Sequence, residues 1–125
     1  MKRVALVTGS NRGLGLETAR VLAERDWNVI LACRDLEQAR ALAATIHGAS
    51  ARALDLADAQ TIGALRDGLE RDGVVLDALV NNAAISMRGF DANVATKTLA
   101  VNLSGTVMAT TALEPRVKDG GAIVM

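Results

Sequence analysis

Short apolar runs alternate along the chain with longer segments in which apolar residues recur every three or four positions. The runs have the length of buried strands, whereas the segments between them have the periodicity of helices that bury one side. The predicted strands cover residues 4–7, 29–32, 51–54, 74–80 and 122–125. Because strands and helices alternate, the pattern predicts βαβ units on a parallel sheet.

Start and stop signals delimit the first three predicted helices. The first covers residues 14–24. Asp35 is the expected N-cap of the second, which ends near Gly48, and Asp58 opens the third, which ends before Gly73. The side chains expected to face the sheet are Leu16, Ala19, Leu22 and Ala23 in the first helix, Leu36, Ala39, Leu42, Ala43 and Ile46 in the second, and Ile62, Leu65 and Leu69 in the third.

The fourth predicted helix, residues 91–114, has two apolar rows instead of one. One row could cover the sheet, and the other would then need a partner, so the pattern predicts self-association through this helix. Pro115 is expected to mark the helix exit or a kink. The two rows are Ala95, Leu99, Leu103 and Val107, and Val94, Val101, Met108 and Ala112.

Length and composition predict one domain, residues 1–125, with 50% of the residues apolar. The formal net charge is zero and the basic residues form no block, so neither nucleic acid nor an anionic membrane is an expected partner. Polar residues 8–12 interrupt the first apolar run, which argues against a secretory signal, and no run approaches the ~18 apolar residues of a membrane span. We therefore expect a cytoplasmic protein.

Cys33 is the single cysteine of the chain and can form no internal disulfide. It is interpreted as a small buried residue at a strand end and not as a nucleophile. No metal site is predicted.

A glycine-rich turn joins the first strand to the first helix, with the sequence Thr-Gly-Ser-Asn-Arg-Gly-Leu-Gly over residues 8–15. Glycine lets the backbone turn tightly and lets a pyrophosphate approach without Cβ atoms in the way, while the first amides of the helix remain free for it. The turn is therefore predicted to bind a dinucleotide. Its candidate binding residues are Gly9, Ser10, Asn11, Arg12, Gly13, Leu14 and Gly15.

The glycine spacing resembles T-G-x-x-x-G-x-G, the signature of the short-chain dehydrogenase/reductase family. Four further features match that family in order: Asp55-Leu56, the run Asn81-Asn82-Ala83-Ala84, Asn102, and the run at residues 120–124 that resembles the start of the fifth strand. A methyltransferase or another nucleotide-binding α/β protein would share the glycine turn but not these later matches.

The resemblance implies a role for each matched residue. Asp55, with Leu56, would accept a hydrogen bond from the adenine amino group, and Asn82, Ala83 and Ala84 would line the ribose, Ala84 standing where the family has glycine. Asn102 matches the asparagine that holds a water in the family's proton relay. Asp55 could also serve only as the cap of a turn into the next helix.

The expected fold is a doubly wound parallel sheet with helices on both faces, a truncated Rossmann fold with strand order 3-2-1-4-5. The ligand should lie at the carboxyl ends of the strands, near the switch between strands one and four. The edge of the fifth strand, residues 122–124, is expected to be open and offers a second surface for a homo-oligomer.

Charge favours NADP over NAD as the cofactor. An NAD site uses a carboxylate at the end of the second strand, whereas a 2′-phosphate needs cations. The chain offers Arg34 at that strand end and Arg12 in the glycine turn. Arginines at these two places play this role in NADP-preferring members of the family. Arg34 could instead be an ordinary solvated residue.

The family transfers hydride between nicotinamide and a carbonyl or alcohol, with a serine and a Tyr-x-x-x-Lys pair at the reacting group. The chain contains no tyrosine and ends at Met125, before the expected serine, so only Asn102 of that set is present. Three hypotheses follow: an NADP-binding oxidoreductase domain that is inactive alone, a non-catalytic assembly module with a vestigial pocket, and a fragment of an active reductase. An in-frame Tyr-x-x-x-Lys downstream would identify the third.

Overall fold

In the computed structural model, which describes residues 2–83 and 92–125, all paired strands run parallel. The strands are β1 (Val4–Thr8), β2 (Asn28–Cys33), β3 (Ala49–Ala53), β4 (Leu76–Val80) and β5 (Val117–Val124). They form one five-stranded sheet in the order β3-β2-β1-β4-β5, which confirms the predicted topology. The order places β1 between β2 and β4, so the turn that follows β1 lies at the switch point of the sheet.

Helices cover both faces of the sheet, also as predicted. The helices are α1 (Gly13–Glu24), α2 (Leu36–Ala43), α3 (Ala59–Arg71), α4 (Ala92–Leu99) and α5 (Thr106–Leu113). Ala19 of α1 and Ala39 of α2 pack with Val7 and Leu31 in one core cluster. A second cluster joins α3 and α5 to the other face and consists of Leu6, Ile30, Ala32, Leu54, Leu56, Ile62, Leu65, Leu69, Leu76, Leu79, Ala109 and Leu113.

Aspartates open α2 and α3 at the positions that the sequence predicts. The side chain of Asp35 accepts a hydrogen bond from the amide of Gln38 at 3.0 Å, and the side chain of Asp58 accepts one from the amide of Gln60 at 2.9 Å. Each cap satisfies a first-turn amide that has no partner within its helix. Both helices therefore begin at the residue that follows the capping aspartate.

The end of α2 was predicted wrongly. The helix stops at Ala43 instead of near Gly48 because Thr45 and Ile46 close tighter turns onto the carbonyls of Leu42 and Ala43. The Thr45 hydroxyl also donates to the Leu42 carbonyl at 2.7 Å. Gly48, with φ +82°, then leads straight into β3, which begins two residues earlier than predicted.

The predicted fourth helix is not continuous. A π-helical segment at Ala100–Gly105 separates α4 from α5, and a 3₁₀ turn at Glu114–Arg116, which contains Pro115, ends it. The predicted first residue, 91, lies outside the described residues. The helical character of this stretch is confirmed, and its middle turn is wider than an α-helix.

The positions that α5 buries belong to neither predicted apolar row, although Ala112 of the second row packs against the core cluster. Among the side chains that the structure describes in this stretch, the buried positions are Gly105, Ala109 and Leu113, which recur every fourth residue. Ala109 and Leu113 lie in the core cluster with α3. Leu103, Val107 and Met108 from the two predicted rows expose 59%, 50% and 47% of their surfaces. The small residues allow α5 to approach α3 closely, so they decide which side turns inward.

The fifth strand begins at Val117, five residues earlier than predicted, because it contains a bulge. The register moves from Leu76 opposite Val117 to Ala78 opposite Ala122, so residues 118–121 lie opposite a single residue, Asp77. The Asp77 carboxylate accepts from the Val4 amide at 2.8 Å and from the Lys118 ammonium at 2.7 Å. β5 forms one edge of the described sheet, and most of its residues are exposed.

No helix of the described ranges combines the length and hydropathy that crossing a membrane requires.

Candidate functional site

The glycine turn begins where β1 ends and passes directly into α1. Gly9 and Gly13 both have left-handed backbone, with φ of +60° and +58°. The Gly9 amide donates to the Ala32 carbonyl of β2 at 2.9 Å. Arg12 occupies the N-cap position of α1 but makes no side-chain cap hydrogen bond. Without such a cap, the first amides of α1 remain available to an anion.

The Thr8 hydroxyl joins this turn to the segment that follows β4. It is completely buried and accepts hydrogen bonds from the amides of Asn82 and Ala83, both at 2.9 Å, and it donates to the Val80 carbonyl at 3.4 Å. One hydroxyl thus satisfies two backbone amides that would otherwise be buried without an acceptor. Thr8 was not among the predicted binding residues, although it is the threonine of the T-G-x-x-x-G-x-G match and a polar residue at the end of an apolar run.

Close packing explains two of the three motif glycines. A Cβ on Gly9 would lie 2.6 Å from the Ala83 Cα, and a Cβ on Gly15 would lie 2.6 Å from the Gly9 carbonyl oxygen and would overlap the Asn82 amide. The Asn82 side chain itself donates to the Gly9 carbonyl at 3.2 Å. The turn, the start of α1 and residues 82–83 are therefore packed as one unit.

Gly13 differs from the other two, because no atom lies within 4 Å of the place where its Cβ would be. Leu14 beside it exposes 75% of its surface. The turn therefore has an open side that a ligand can occupy, and an apolar side chain next to it that a ligand would cover.

Ser10 points away from that open side. Its hydroxyl is completely buried, donates to the Val7 carbonyl at 2.9 Å and lies 3.6 Å from the Cys33 sulfur. Burial raises the pKa of the Cys33 thiol, and the hydrogen bond with Ser10 only partly offsets that effect. Cys33 is a buried, protonated residue at the end of β2, as the sequence analysis expected, and only the backbone of Ser10 can face a ligand.

Two arginines lie beside the turn without a carboxylate. The side chains of Arg12 and Arg34 are exposed, and neither makes an ion pair or hydrogen bond with the described residues. The neighbouring carboxylates have other partners: Asp35 caps α2, and Glu37 pairs with Arg40 at 2.7 Å. Since β1 and β2 are adjacent and in register from Val4 opposite Asn28 to Thr8 opposite Ala32, both arginines follow strand ends at the same edge of the sheet.

Asp55 and Leu56 lie at the carboxyl end of β3, where a local turn uses part of their chemistry. One Asp55 carboxylate oxygen accepts from the Ala57 amide at 2.9 Å, and the Asp55 backbone exchanges hydrogen bonds with the Thr61 hydroxyl. The Leu56 side chain is buried in the core, so only its backbone can face a ligand. The other Asp55 oxygen has no hydrogen bond to the described residues.

Asn81 ties three elements together at the end of β4. Its amide donates to the Val124 carbonyl of β5 at 2.8 Å, and its side-chain nitrogen donates to the Thr110 hydroxyl of α5 at 3.1 Å. Asn102 lies in the π-helical segment with an exposed side chain. Ala84, the last residue of the Asn-Asn-Ala-Ala run, lies outside the described residues.

Comparison with known proteins gives the same family for almost the whole chain. Residues 3–125 match the sequence profile of a family described as short chain dehydrogenase. The chain is 39% identical over 132 aligned residues to human carbonyl reductase [NADPH] 3, covering 98% of this chain and 47% of that protein. It is 40% identical over 91 residues to human retinol dehydrogenase 11, covering 68% of this chain and 29% of that protein.

The fold is also similar to solved structures. A short chain dehydrogenase from Salmonella enterica serovar Typhi superposes with a TM-score of 0.88 at 28% identity, over 98% of this chain and 56% of that one. A putative short chain dehydrogenase from Escherichia coli gives a TM-score of 0.83 at 29% identity, over 91% of this chain and 55% of that one. The chain spans about half the length of the carbonyl reductases that it matches.

Proposed function

Since this chain belongs to the short-chain dehydrogenase family, we propose that it is the NADP(H)-binding domain of an oxidoreductase. The observation that carries the proposal is the turn between β1 and α1: an open side at Gly13, uncapped first amides of α1, and the exposed Leu14 beside them. The residues present fit a dinucleotide, because a pyrophosphate needs an approach free of Cβ atoms together with backbone donors. The cofactor, when bound, would supply the hydride of the family's reaction.

The residues that would hold the cofactor divide by the part that they contact. The backbone of the glycine turn, residues 9–15, would hold the pyrophosphate, and the free oxygen of Asp55 would accept from the adenine amino group. Asn82, Ala83 and Ala84, which follow β4, would line the ribose. Thr8 acts as a positioning residue, because its hydroxyl places residues 82 and 83 against the turn.

We propose NADP(H) instead of NAD(H), since Arg12 and Arg34 have no ion-pair partner among the described residues while Asp35 and Glu37 beside them are occupied. A 2′-phosphate would take charge-assisted hydrogen bonds from Arg12 and Arg34, each contributing about 1.5–3 kcal/mol. The similarity to carbonyl reductase [NADPH] 3 supports this choice.

The experiment is a titration of the purified chain with NADPH and with NADH, following cofactor fluorescence. We expect the Arg12→Ala/Arg34→Ala double variant to weaken NADPH by about 100-fold or more and NADH by much less, because only NADPH carries the 2′-phosphate. The matched control is Arg20→Ala/Arg66→Ala, which removes the same charge from two helix-surface ion pairs. Equal weakening of both cofactors would refute the assignment of the two arginines, and absence of binding at millimolar cofactor would refute the function.

We further propose that these 125 residues bind the cofactor without turnover. The sequence has no tyrosine, so the general acid that the family resemblance implies is not supplied by this chain. General acid catalysis alone contributes a factor of about 10²–10⁴ to a rate. Asn102 cannot replace the missing general acid, because an amide does not exchange a proton near neutral pH.

The lone buried Cys33 is consistent with a cytoplasmic location, which we propose as well.

A second candidate function is assembly, with the nucleotide pocket serving no reaction. The observation that favours it is the exposed apolar surface of Leu103, Val107 and Met108, to which the exposed side chains of β5 add Ile123 and Val124. Apolar side chains clustered on a surface favour burial against another molecule. This role is compatible with cofactor binding, so the two proposals are tested separately.

A further inference from the structure

Three aspartates of the chain are followed directly by glycine: Asp67, Asp72 and Asp119. An aspartate in this setting can react with its own main chain, because the amide nitrogen of the next residue can attack the side-chain carboxyl carbon. Glycine has no Cβ atom to hinder that approach. The reacting dipeptide is the same at the three sites, so a difference in reactivity between them has to come from the fold.

The first pair, Asp67–Gly68, is protected by helix α3. Gly68 is a buried residue inside that helix, so its amide nitrogen is held in the helical hydrogen-bond ladder. The Asp67 carboxylate accepts from the Arg66 Nε atom at 3.0 Å. Neither reacting group can therefore approach the other while the helix is intact.

The second pair, Asp72–Gly73, follows the end of α3 and is hydrogen-bonded on both sides. The Asp72 carboxylate accepts from Arg52 Nη2 at 2.8 Å and from Arg71 Nε at 3.3 Å. The Gly73 amide donates to the Glu70 carbonyl at 3.1 Å. The hydrogen bond from Arg52, followed by that from Arg71, lowers the pKa of Asp72, which keeps this carboxyl group in the ionised form that has no hydroxyl to lose as water.

The third pair, Asp119–Gly120, has none of these constraints. It lies in the bulge of β5, residues 118–121, outside the paired register of β4 and β5. Both residues are exposed, and the Asp119 carboxylate makes no hydrogen bond or ion pair with the part of the chain that the structure describes. No atom lies within 4 Å of the place of a Cβ on Gly120. The bulge therefore leaves room for the side chain and the main chain of this pair to react.

We propose that Asp119 is a site of spontaneous isoaspartate formation. The Gly120 amide nitrogen forms a bond to the Asp119 Cγ atom, and the carboxyl hydroxyl leaves as water together with the proton of that nitrogen. Water then opens the resulting succinimide ring at either carbonyl, which returns aspartate or gives isoaspartate. One water is released and one is consumed. The product has an additional carbon in the main chain of the bulge and a free carboxylate on Cα. The proposal is independent of cofactor binding.

The test is prolonged incubation of the chain at neutral pH and physiological temperature, once in the native state and once in concentrated urea. Endoproteinase Asp-N cleaves before aspartate but not before isoaspartate, so mass spectrometry of its digests measures the loss of cleavage at each site. In the native chain we expect cleavage before residue 119 to be lost about 10-fold faster than before residues 67 and 72, because the hydrogen bonds at those two sites must open first. In urea the three sites should react at similar rates, since the fold no longer distinguishes them.

The variant Asp119→Glu verifies the site. It keeps the charge at this exposed position but lengthens the side chain, so the ring would need six members instead of five. The readout is the transfer of a labelled methyl group from S-adenosylmethionine by an isoaspartyl carboxyl methyltransferase, which acts on the free carboxylate on Cα. We expect the label found in the incubated native chain to be lost in this variant.

A second variant tests the protection of Asp72. Arg52→Gln/Arg71→Gln removes the two arginines that bind this carboxylate, and it should accelerate the modification before residue 72 without changing that before residue 119. The matched control, Arg20→Gln/Arg40→Gln, removes two arginines of other surface ion pairs and should change neither rate. Circular dichroism would verify that each variant is folded.

Two results would overturn the proposal. The first is a native chain in which Asp119 is modified no faster than Asp67 and Asp72. The second is the same order and spread of rates in urea as in the native state, because the selectivity would then come from the flanking sequence and not from the bulge. Methyl incorporation that stays unchanged in Asp119→Glu would likewise locate the isoaspartate at another residue.

Discussion

Gly9 and Gly13 have nearly the same backbone conformation but different surroundings. Both have φ close to +60°, so an alanine at either position would be strained by the left-handed backbone. Only Gly9 is in close contact with another segment, because the place of its Cβ lies 2.6 Å from the Ala83 backbone. At Gly13 no neighbour approaches within 4 Å. The two glycines therefore separate conformational strain from packing.

The pair gives a direct prediction. Gly13→Ala should lower the free energy of unfolding by about 1–2 kcal/mol, the strain of one left-handed alanine. Gly9→Ala should cost the same strain and about 1–3 kcal/mol more, because the Ala83 backbone must move away. Urea denaturation of both variants measures the difference. Similar losses would mean that the segment after β4 does not press against the turn.

The sequence predicted the members of the turn but not their orientation. Their spacing correctly located the glycines at the junction of the first strand and the first helix, with Gly9 after β1 and with Gly13 and Gly15 in the first turn of α1. The inward direction of the Ser10 hydroxyl, the two amides bound by Thr8 and the Asn11–Gln38 hydrogen bond depend on which strands are neighbours. The Thr8 and Asn11 contacts join residues 27 to 75 positions apart, so sequence-local patterns contain no information on them.

At the scale of elements, strong local signals located starts better than ends. Asp35 and Asp58 each cap a helix where the sequence predicted it, since an N-cap is a local property of one side chain. The predicted end of α2 was wrong because the hydrogen bonds of Thr45 decide where the helix stops, and the predicted start of β5 was wrong because a bulge lies opposite Asp77. The inward side of α5 was missed because small residues at 105 and 109 pack better against α3 than larger ones would.

The bulge of β5 suggests a prediction about acid stability. Asp77 anchors both β5, through Lys118, and the start of β1, through the Val4 amide. The hydrogen bond from Lys118 contributes most, and together with that from Val4 it lowers the pKa of Asp77 below its ordinary value of 3.8. A carboxyl group whose pKa is lowered on folding stabilises the native state above its unfolded pKa, and this contribution is lost as the pH falls through the lower, folded pKa.

We therefore expect Asp77→Asn to reduce stability at neutral pH and to reduce it less as the pH falls below about 4, where the native chain loses the same contribution. Melting temperatures between pH 2 and 7 measure this dependence. Lys118→Met should produce part of the same change, and the double variant should add little to Asp77→Asn, since both remove one ion pair. An equal loss from Asp77→Asn at every pH would contradict the role of the carboxylate charge.

At the scale of the whole molecule, the apolar surface is distributed unevenly. The described strands β1 and β2 are buried on both faces, as parallel strands usually are, whereas most of β5 is exposed. The exposed apolar residues of the π-helical segment and α5 form a second uncovered region, defined by Leu103, Val107 and Met108. The cofactor site and these surfaces involve different residues, so binding and association can be altered independently.

We expect the chain to self-associate through this helix surface or through β5. Val107→Lys/Met108→Lys should shift the sedimentation coefficient toward the monomer if the helix is the interface, because two charges would have to be buried unpaired. Val124→Lys should have that effect if β5 is the interface. The control, Val21→Lys/Val75→Lys, places the same charges on two valines that are 45% and 48% exposed elsewhere. If the unmodified chain is monomeric at all concentrations, association is refuted. If the control variant dissociates the assembly equally, the added positive charge separates the chains wherever it is placed, and neither surface is identified as the interface.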